Sequence, residues 1–184
     1  MATEGIAGNL QLGGQYSVSD LVKAMLVLSS NRAAMAVADS YGFPQFVEKM
    51  RVKAVSLNMA QTDLIEPTGL SSGNQSTIGD LEKLISYIYK NHPEIFVITR
   101  QKTVVLSELA KNRSEEFLNI NAFAQSRNDF WGGKTGYTDQ AGGNLITIFE
   151  HEGRKLLFIV LGTDDRFGQT DLLYNWAKRA FSFN

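Results

Sequence analysis

The chain of 184 residues contains no cysteine, which excludes disulfide bonds, thiol catalysis and most zinc sites. No apolar run is long enough to span a membrane, and residues 1–14 lack the basic and apolar regions of a signal peptide. The net charge of −1 gives no basic surface for nucleic acid. The two histidines, His92 and His151, show no ligand spacing, so no metal site is expected. We expect one globular domain over residues 1–184.

Two short motifs stand out against this ordinary background. Lys134-Thr135-Gly136 is flanked by glycines, and Ser29-Ser30-Asn31 lies about a hundred residues earlier. A Ser-Ser-Asn at a helix end is usually a capping feature, and an isolated Lys-Thr-Gly is usually a turn beside a strand. In this order, however, Ser-x-Asn and Lys-Thr-Gly are typical of serine enzymes that act on penicillin-like substrates.

The second half of the chain predicts an antiparallel sheet. Three strands are expected at 130–135, 144–150 and 155–162, paired in sequence order because a tight hairpin at 151–154 can join only antiparallel neighbours. A helix over 171–181 should cover one face. The strand 155–162 should form an apolar edge, which favours self-association or coverage by residues 1–15.

Helices are expected in the first half of the chain. Capping boxes at 17–20 and 77–80 predict the starts of two of them, and the residues between 58 and 75 predict a long ordered loop. Further along, a short strand pair is expected around 97–98 and 103–106. In the C-terminal helix, Leu172 and Trp176 are expected to be buried.

Taken in order, the motifs resemble those of the serine D-alanyl-D-alanine carboxypeptidases, the low-molecular-weight penicillin-binding proteins. The resemblance runs from about Gln15 to the C-terminus. It rests on Ser29-Ser30-Asn31, although Arg32 stands where the family commonly has aspartate, and on segments 58–80, 119–121 and 133–142. It implies an α+β fold of the β-lactamase and transpeptidase type, an antiparallel sheet flanked by helices, with a helical lobe.

The resemblance also implies roles for the motif residues that move protons. Ser29 would be a hydroxyl beside the leaving amine, and Lys134 would supply positive charge and a proton path to it. Asn31 would hydrogen-bond the substrate. Acyl transfer needs such a proton shuttle together with an activated hydroxyl. The Ser29 hydroxyl and the Lys134 ammonium are therefore expected within hydrogen-bond reach, roughly 2.7–3.5 Å.

A second set of residues would bind the substrate, according to the same resemblance. Thr135 would bind the free carboxylate of the terminal D-alanine, and Gly136 would let the substrate lie against the strand. The backbone N–H of Tyr137 would be one oxyanion donor. Arg166 lies close to where the family has an arginine that faces the carboxylate, with the register shifted by about one residue.

One element of the family pattern is absent. No serine in the chain has a lysine three positions later, so the Ser-x-x-Lys motif that carries the nucleophile is missing. We expect the chain to be truncated at its N-terminus, without the N-terminal strands and the nucleophile helix. It could be a piece of a longer exported enzyme, one part of a split enzyme completed by another N-terminal segment, or a short relative that binds without cutting.

The resemblance implies a serine-type D-Ala-D-Ala carboxypeptidase that needs no cofactor. Its partners would be peptidoglycan stem peptides ending in D-Ala-D-Ala and β-lactams, and its location extracytoplasmic, in the periplasm or at the cell surface. Two alternatives remain open. One is an inactive peptidoglycan- or β-lactam-binding module. The other is a relative of class A β-lactamases, which would need a deacylating glutamate; Glu66 is the candidate, although its surroundings resemble the carboxypeptidases.

Overall fold

The computed structural model describes residues 10–182, which form seven helices and five strands. The helices are α1 Val18–Val27, α2 Asn31–Tyr41, α3 Phe43–Ser56, α4 Ile78–Asn91, α5 Glu94–Thr99, α6 Ala122–Ser126 and α7 Arg166–Ala180. The strands are β1 Thr103–Glu108, β2 Arg113–Leu118, β3 Phe130–Thr138, β4 Gly142–His151 and β5 Arg154–Thr163. No helix within 10–182 is long and apolar enough to cross a membrane.

Both predicted helix starts are confirmed. The Ser17 hydroxyl accepts the backbone N–H of Asp20 at 3.0 Å, and the Thr77 hydroxyl accepts that of Asp80 at 3.3 Å. These side chains satisfy N–H groups that the first turn of a helix leaves without a partner. The segment between α3 and α4 is a long loop, as predicted, and it is closed by an antiparallel bridge between Asp63 and Gln75.

The three-stranded sheet has the order β3-β4-β5 with antiparallel pairing throughout, as the sequence predicts. The turn between β4 and β5 is tight because Glu152 and Gly153 both adopt positive φ, 49° and 74°, the combination that a two-residue hairpin favours. Within residues 10–182, β5 has no further strand beside it, so it is an edge strand as predicted. A separate hairpin pairs β1 with β2.

The prediction that Leu172 and Trp176 are buried in the C-terminal helix is wrong, because they are 64% and 53% exposed. The face that packs on the sheet carries Thr170, Tyr174 and Ala177 instead. The ring of Tyr174 stacks on Phe149 with centroids 4.5 Å apart. Leu172 and Trp176 are spaced as neighbours on one helix face, and Thr170, Tyr174 and Ala177 are spaced as neighbours on another. Periodicity alone therefore could not decide which face is buried.

Tyr174 can be buried because its hydroxyl group has a hydrogen-bond partner. The Tyr174 hydroxyl donates to Asp129 Oδ2 at 2.9 Å, so the ring can enter the core without leaving its oxygen unsatisfied. Burial, followed by this hydrogen bond, raises the pKa of Tyr174 to about 12. Arg127 binds the same carboxylate at 2.8 Å.

The strand expected at 103–106 is present as β1, but the one expected around 97–98 is not. Residues 97–98 lie in α5 and not in a strand. The turn after Pro93 starts a helix, and tertiary packing of the buried Phe96 overrides the strand preference of the β-branched residues around it.

The described part of the lead-in, residues 10–15, contacts the β1–β2 hairpin: Gln15 N–H donates to Glu108 Oε1 at 2.9 Å. Coverage of β5 by this part is therefore not observed, and residues 1–9 lie outside the described residues.

Candidate active site

Ser29 lies at a sharp junction between two helices. Helix α1 ends at Val27, and Ser30 caps α2 by accepting the N–H of Ala33 at 3.3 Å. Ser29 itself has φ 53°, a left-handed conformation that is unfavourable for residues other than glycine. Capping on both sides therefore holds Ser29 in an unusual backbone conformation between the helices.

Two glycines bring β3 close to its neighbours just before Lys134. Gly132 has φ 147°, and a Cβ there would lie 2.8 Å from Thr99 Oγ1. A Cβ on Gly133 would lie 2.3 Å from the carbonyl oxygen of Ile146 on β4. Because the second obstacle is backbone, no side-chain movement could relieve it. The Gly-Gly pair thus fixes the strand that carries Lys134.

Ser29 and Lys134 meet although they are 105 positions apart: Lys134 Nζ donates to Ser29 Oγ at 2.6 Å. This confirms the prediction that the two groups lie within hydrogen-bond reach, at a distance slightly shorter than the expected range. Lys134 Nζ also donates to the carbonyl of Thr135 at 2.6 Å. The two sequence motifs therefore form one site.

The charge on Lys134 is disfavoured. Burial, and secondarily the nearby positive charge of Arg166, lower the pKa of Lys134 from 10.5 to about 8. The hydrogen bonds that Lys134 Nζ donates to Ser29 Oγ and to the Thr135 carbonyl favour the charged form, but burial outweighs them. A lysine with such a pKa can accept and donate a proton near neutral pH, which is what a proton shuttle requires.

Arg166 is brought to the site by the start of α7. Its guanidinium Nη1 donates to the carbonyl oxygen of Gly136 on β3 at 2.7 Å. The structure therefore joins Arg166 to the Lys-Thr-Gly strand, despite the shifted register in the sequence. Asp165 caps α7 by accepting the N–H of Gly168 at 2.8 Å, which orients this first turn.

The remaining predicted residues line the same strand or helix end. Asn31 is the first residue of α2 and is half-buried. Thr135 is 5% exposed, and its hydroxyl has no hydrogen-bond partner in the part of the chain that the structure describes. A Cβ on Gly136 would meet nothing closer than 3.7 Å. Packing within the chain therefore does not demand glycine at this position.

The backbone N–H of Tyr137 points to the edge of β3 that has no neighbouring strand within residues 10–182, called here its open edge. In an antiparallel pair the N–H groups of a strand alternate between the partner strand and the opposite side. Gly133 N–H faces away from β4, because it donates to Thr99 Oγ1 at 3.2 Å. The register is regular from Gly132 to Thr138. The N–H groups of Thr135 and Tyr137 therefore face the same open edge as that of Gly133.

Glu66 is fully occupied by its own loop. Its carboxylate accepts the N–H and hydroxyl of Thr68 at 2.6 Å each, the N–H groups of Gly69 and Ser71 at 2.7 and 3.2 Å, and Asn74 Nδ2 at 2.6 Å. Burial alone would raise the pKa of Glu66, but the bonds from Thr68, Ser71 and Gly69 lower it overall. A carboxylate so engaged is poorly suited to act as a deacylating base.

The sequence did not single out Thr99 as a site residue. It is buried, 4% exposed, and it contacts the strand just before Lys134. A sequence signal that could have found it is the Gly132-Gly133 pair, since glycines inside a strand allow another group to approach its backbone closely. Within residues 10–182, no group of three or more His, Asp or Glu side chains could hold a metal ion.

Comparison with known proteins identifies the family. The family model for D-alanyl-D-alanine carboxypeptidases, peptidase S11, matches residues 2–165. The chain belongs to this family. Its resemblance to the carboxypeptidases, inferred from the motifs, is therefore confirmed.

A curated relative agrees with this assignment. The chain is 31% identical over 183 residues to the D-alanyl-D-alanine endopeptidase of Escherichia coli K12, covering 95% of this chain and 58% of that protein. The chain thus spans little more than half the length of this curated relative.

Solved structures agree with the predicted α+β fold of penicillin-binding proteins. The D-alanyl-D-alanine carboxypeptidase of Mycobacterium tuberculosis H37Rv matches with a TM-score of 0.84 and 25% identity, covering 97% of this chain and 70% of that one. Penicillin-binding protein D2 of Listeria monocytogenes, in its cefotaxime-bound form, matches with a TM-score of 0.76 and 32% identity, covering 87% and 66%.

Proposed function

We propose that the site formed by Ser29, Lys134 and the open edge of β3 serves serine-type D-Ala-D-Ala carboxypeptidase chemistry on peptidoglycan stem peptides. The observation that carries this proposal is the 2.6 Å hydrogen bond between Lys134 Nζ and Ser29 Oγ. It joins two motifs that lie 105 positions apart in the sequence, and it does so with a lysine whose pKa is near 8.

Ser29 and Lys134 would move the proton that the reaction must transfer. Release of the terminal D-alanine requires a proton on the leaving amine, and the Ser29 hydroxyl can pass one from Lys134. Because burial lowers the pKa of Lys134 to about 8, both its protonated and neutral forms are populated near neutral pH. Asn31, at the start of α2, would hydrogen-bond the peptide.

The open edge of β3 would hold the substrate. A peptide could extend the sheet at this edge and bond to backbone groups there. The Thr135 hydroxyl, which lacks a partner in residues 10–182, and the charge of Arg166 would bind the terminal carboxylate. The N–H of Tyr137, on the same edge, would be an oxyanion donor. We expect this chemistry outside the cytoplasm, where peptidoglycan lies.

A second candidate function is binding without cleavage. It is favoured by one observation: no serine in the 184 residues has a lysine three positions later. The Ser29 hydroxyl is bonded to Lys134, but that pair would relay protons rather than attack the substrate. In this case the chain would bind D-Ala-D-Ala peptides or β-lactams reversibly, unless a complementing segment supplies the nucleophile.

Gly136 offers a sharp test of peptide binding at the β3 edge. Gly136→Ala should leave the melting temperature nearly unchanged, because the added Cβ meets nothing within 3.7 Å, but it should weaken binding of a D-Ala-D-Ala peptide at least tenfold, about 1.4 kcal/mol. The control is Gly79→Ala on α4, where a Cβ also meets nothing within 4 Å. Equal affinity of both variants for the peptide would contradict the proposed site.

Acylation separates the two candidate functions. We expect intact-mass measurement of the chain with a fluorescent penicillin to show no stoichiometric adduct, and adduct formation to appear when a polypeptide carrying Ser-x-x-Lys complements it. An adduct on the isolated chain would redirect the search for a nucleophile to Ser29, Ser30, Ser71 and Ser72. Rapid turnover of penicillin would instead favour the β-lactamase alternative, against which the engaged carboxylate of Glu66 argues.

A further inference from the structure

A buried hydroxyl holds β3 from the side opposite β4. Thr99 is the last residue of α5 and is 4% exposed. Its Oγ1 accepts the N–H of Gly133 at 3.2 Å, the residue directly before Lys134. This bond satisfies a strand N–H that has no ladder partner, and it pins the strand at that point.

A buried amide in turn holds Thr99. Asn119 is 6% exposed, and its Nδ2 donates to the carbonyl oxygens of Thr99 at 2.9 Å and Gln101 at 2.8 Å. Its Oδ1 accepts the N–H of Asn121 at 2.8 Å. Both ends of the amide are therefore used, so Asn119 fixes the end of α5 with respect to the segment 119–121.

The same segment also holds the end of α1. The N–H of Ile120 donates to the carbonyl oxygen of Val27 at 3.2 Å. Val27 is the last residue of α1 and lies just before the left-handed junction at Ser29. One short segment thus connects by hydrogen bonds to the backbone before Ser29 and, through Asn119 and Thr99, to the backbone before Lys134.

We propose that Thr99 and Asn119 are positioning residues that set the distance between Ser29 and Lys134, acting through Gly133 on one side and Val27 on the other. The inference rests on the proposed role of that pair in proton transfer. A hydrogen bond of 2.6 Å loses most of its strength if either partner moves by about 1 Å. Since the partners belong to separate elements, the chain of hydrogen bonds that runs through segment 119–121 and Thr99 is what keeps the bond short.

The test measures the titration of Lys134 without any substrate, so its result does not depend on whether the chain cleaves peptides. Lysine labelled with ¹³C at Cε is followed by NMR through a pH titration of the full chain, and Lys134→Arg assigns the Lys134 signal. In the unaltered protein this signal should titrate near pH 8. Thr99→Val keeps the side-chain shape and removes the acceptor for Gly133. We expect it to release β3, admit water to the ammonium and raise the Lys134 titration by about 0.5 or more.

Three further variants make the comparison strict. Thr99→Ser restores the hydroxyl and should return the titration to that of the unaltered protein. Thr147→Val is the matched control. Thr147 on β4 pairs with Gly133 on β3 and is fully buried, but its hydroxyl has no hydrogen-bond partner in the described chain. Asn119→Ala should shift Lys134 in the same direction as Thr99→Val. A shift in Thr99→Val no larger than that in Thr147→Val would overturn the proposal.

Amide hydrogen exchange tests the proposal without a substitution, in case Thr99→Val fails to fold. Gly133 and Tyr137 both point N–H groups to the open edge of β3, but among the described residues only Gly133 has an acceptor there. Gly133 should therefore exchange at least tenfold more slowly than Tyr137. Equal exchange rates at the two positions would show that Thr99 does not hold the strand.

Discussion

Arg166 and Gly136 are joined by a hydrogen bond of 2.7 Å from the guanidinium Nη1 to the backbone carbonyl oxygen. The bond ties the first turn of α7 to the middle of the Lys-Thr-Gly strand. It also places a second positive charge near Lys134, where it lowers the pKa of that lysine in addition to the larger effect of burial. The position of the first turn of α7 thus affects the pKa of Lys134.

Replacing Arg166 should raise the pKa of Lys134. Arg166→Gln keeps a hydrogen-bond donor but removes the charge, so the repulsion on the Lys134 ammonium is lost while its burial remains. We expect the Lys134 titration, followed by ¹³C NMR, to move upward from about 8 and to stay below 10.5. Arg179→Gln, at the exposed end of the same helix, controls for the loss of one charge. An unchanged Lys134 titration in Arg166→Gln would show that the two cations do not interact.

Lys134 should make the stability of the protein depend on pH in a defined window. Its folded pKa of about 8 lies below the ordinary 10.5, so between these values the unfolded chain binds a proton that the folded chain does not. Stability therefore rises as pH increases from 8 to 10.5, by at most about 3 kcal/mol. Lys134→Met should remove this rise. Urea unfolding at several pH values measures it, with Lys49→Met on α3 as the charge control; the same rise in Lys134→Met would contradict the prediction.

The sheet could be predicted from the sequence because its signals are local. Strands β4 and β5 are largely apolar runs separated by a turn, and the hairpin at Glu152-Gly153 fixes their pairing. The Ser29–Lys134 contact could also be predicted, but for another reason. It spans 105 positions, and only the resemblance to a known family connected the two motifs.

Features that depend on tertiary partners could not be predicted. Tyr174 is buried in place of Trp176 because Asp129 accepts its hydroxyl hydrogen bond, and nothing in the helix itself indicates that partner. Thr99 lies in a segment whose β-branched residues favour a strand, yet it ends a helix that packs on β3. The sequence shows a glycine at position 133 but not why glycine is needed there. The reason is the carbonyl oxygen of Ile146 on β4, which would clash with any Cβ at position 133.

Glu66 should stabilise the loop between α3 and α4 rather than take part in chemistry. Glu66→Gln removes acceptor capacity from a carboxylate that accepts five hydrogen bonds, which should cost about 1–3 kcal/mol of unfolding free energy. The folded pKa of Glu66 lies below 4.5, so its contribution is present above that pH and is lost as pH falls through the folded value. The Gln variant should lack this acid-dependent loss.

Urea unfolding between neutral and acid pH measures the contribution of Glu66. The control is Glu82→Gln on α4, where an exposed carboxylate accepts a single hydrogen bond from Ser86. A Glu66→Gln protein as stable as Glu82→Gln would contradict the structural role. If penicillin turnover were present and Glu66→Gln abolished it without loss of stability, Glu66 would instead be acting as a base.

The free edge of β5 should cause the chain to self-associate. Within residues 10–182 no strand covers it, and its outer end carries Leu161, which is 37% exposed. An uncovered apolar edge offers backbone N–H and C=O groups to a second chain, and a charge placed on it opposes such pairing. Leu161→Lys should therefore lower the average mass in light scattering at high concentration. The control Leu172→Lys places the same charge on the outer face of α7, where the leucine is 64% exposed. If only Leu172→Lys lowered the mass, association would run through the helix and not the strand edge, and a monomer in the unaltered chain would exclude both.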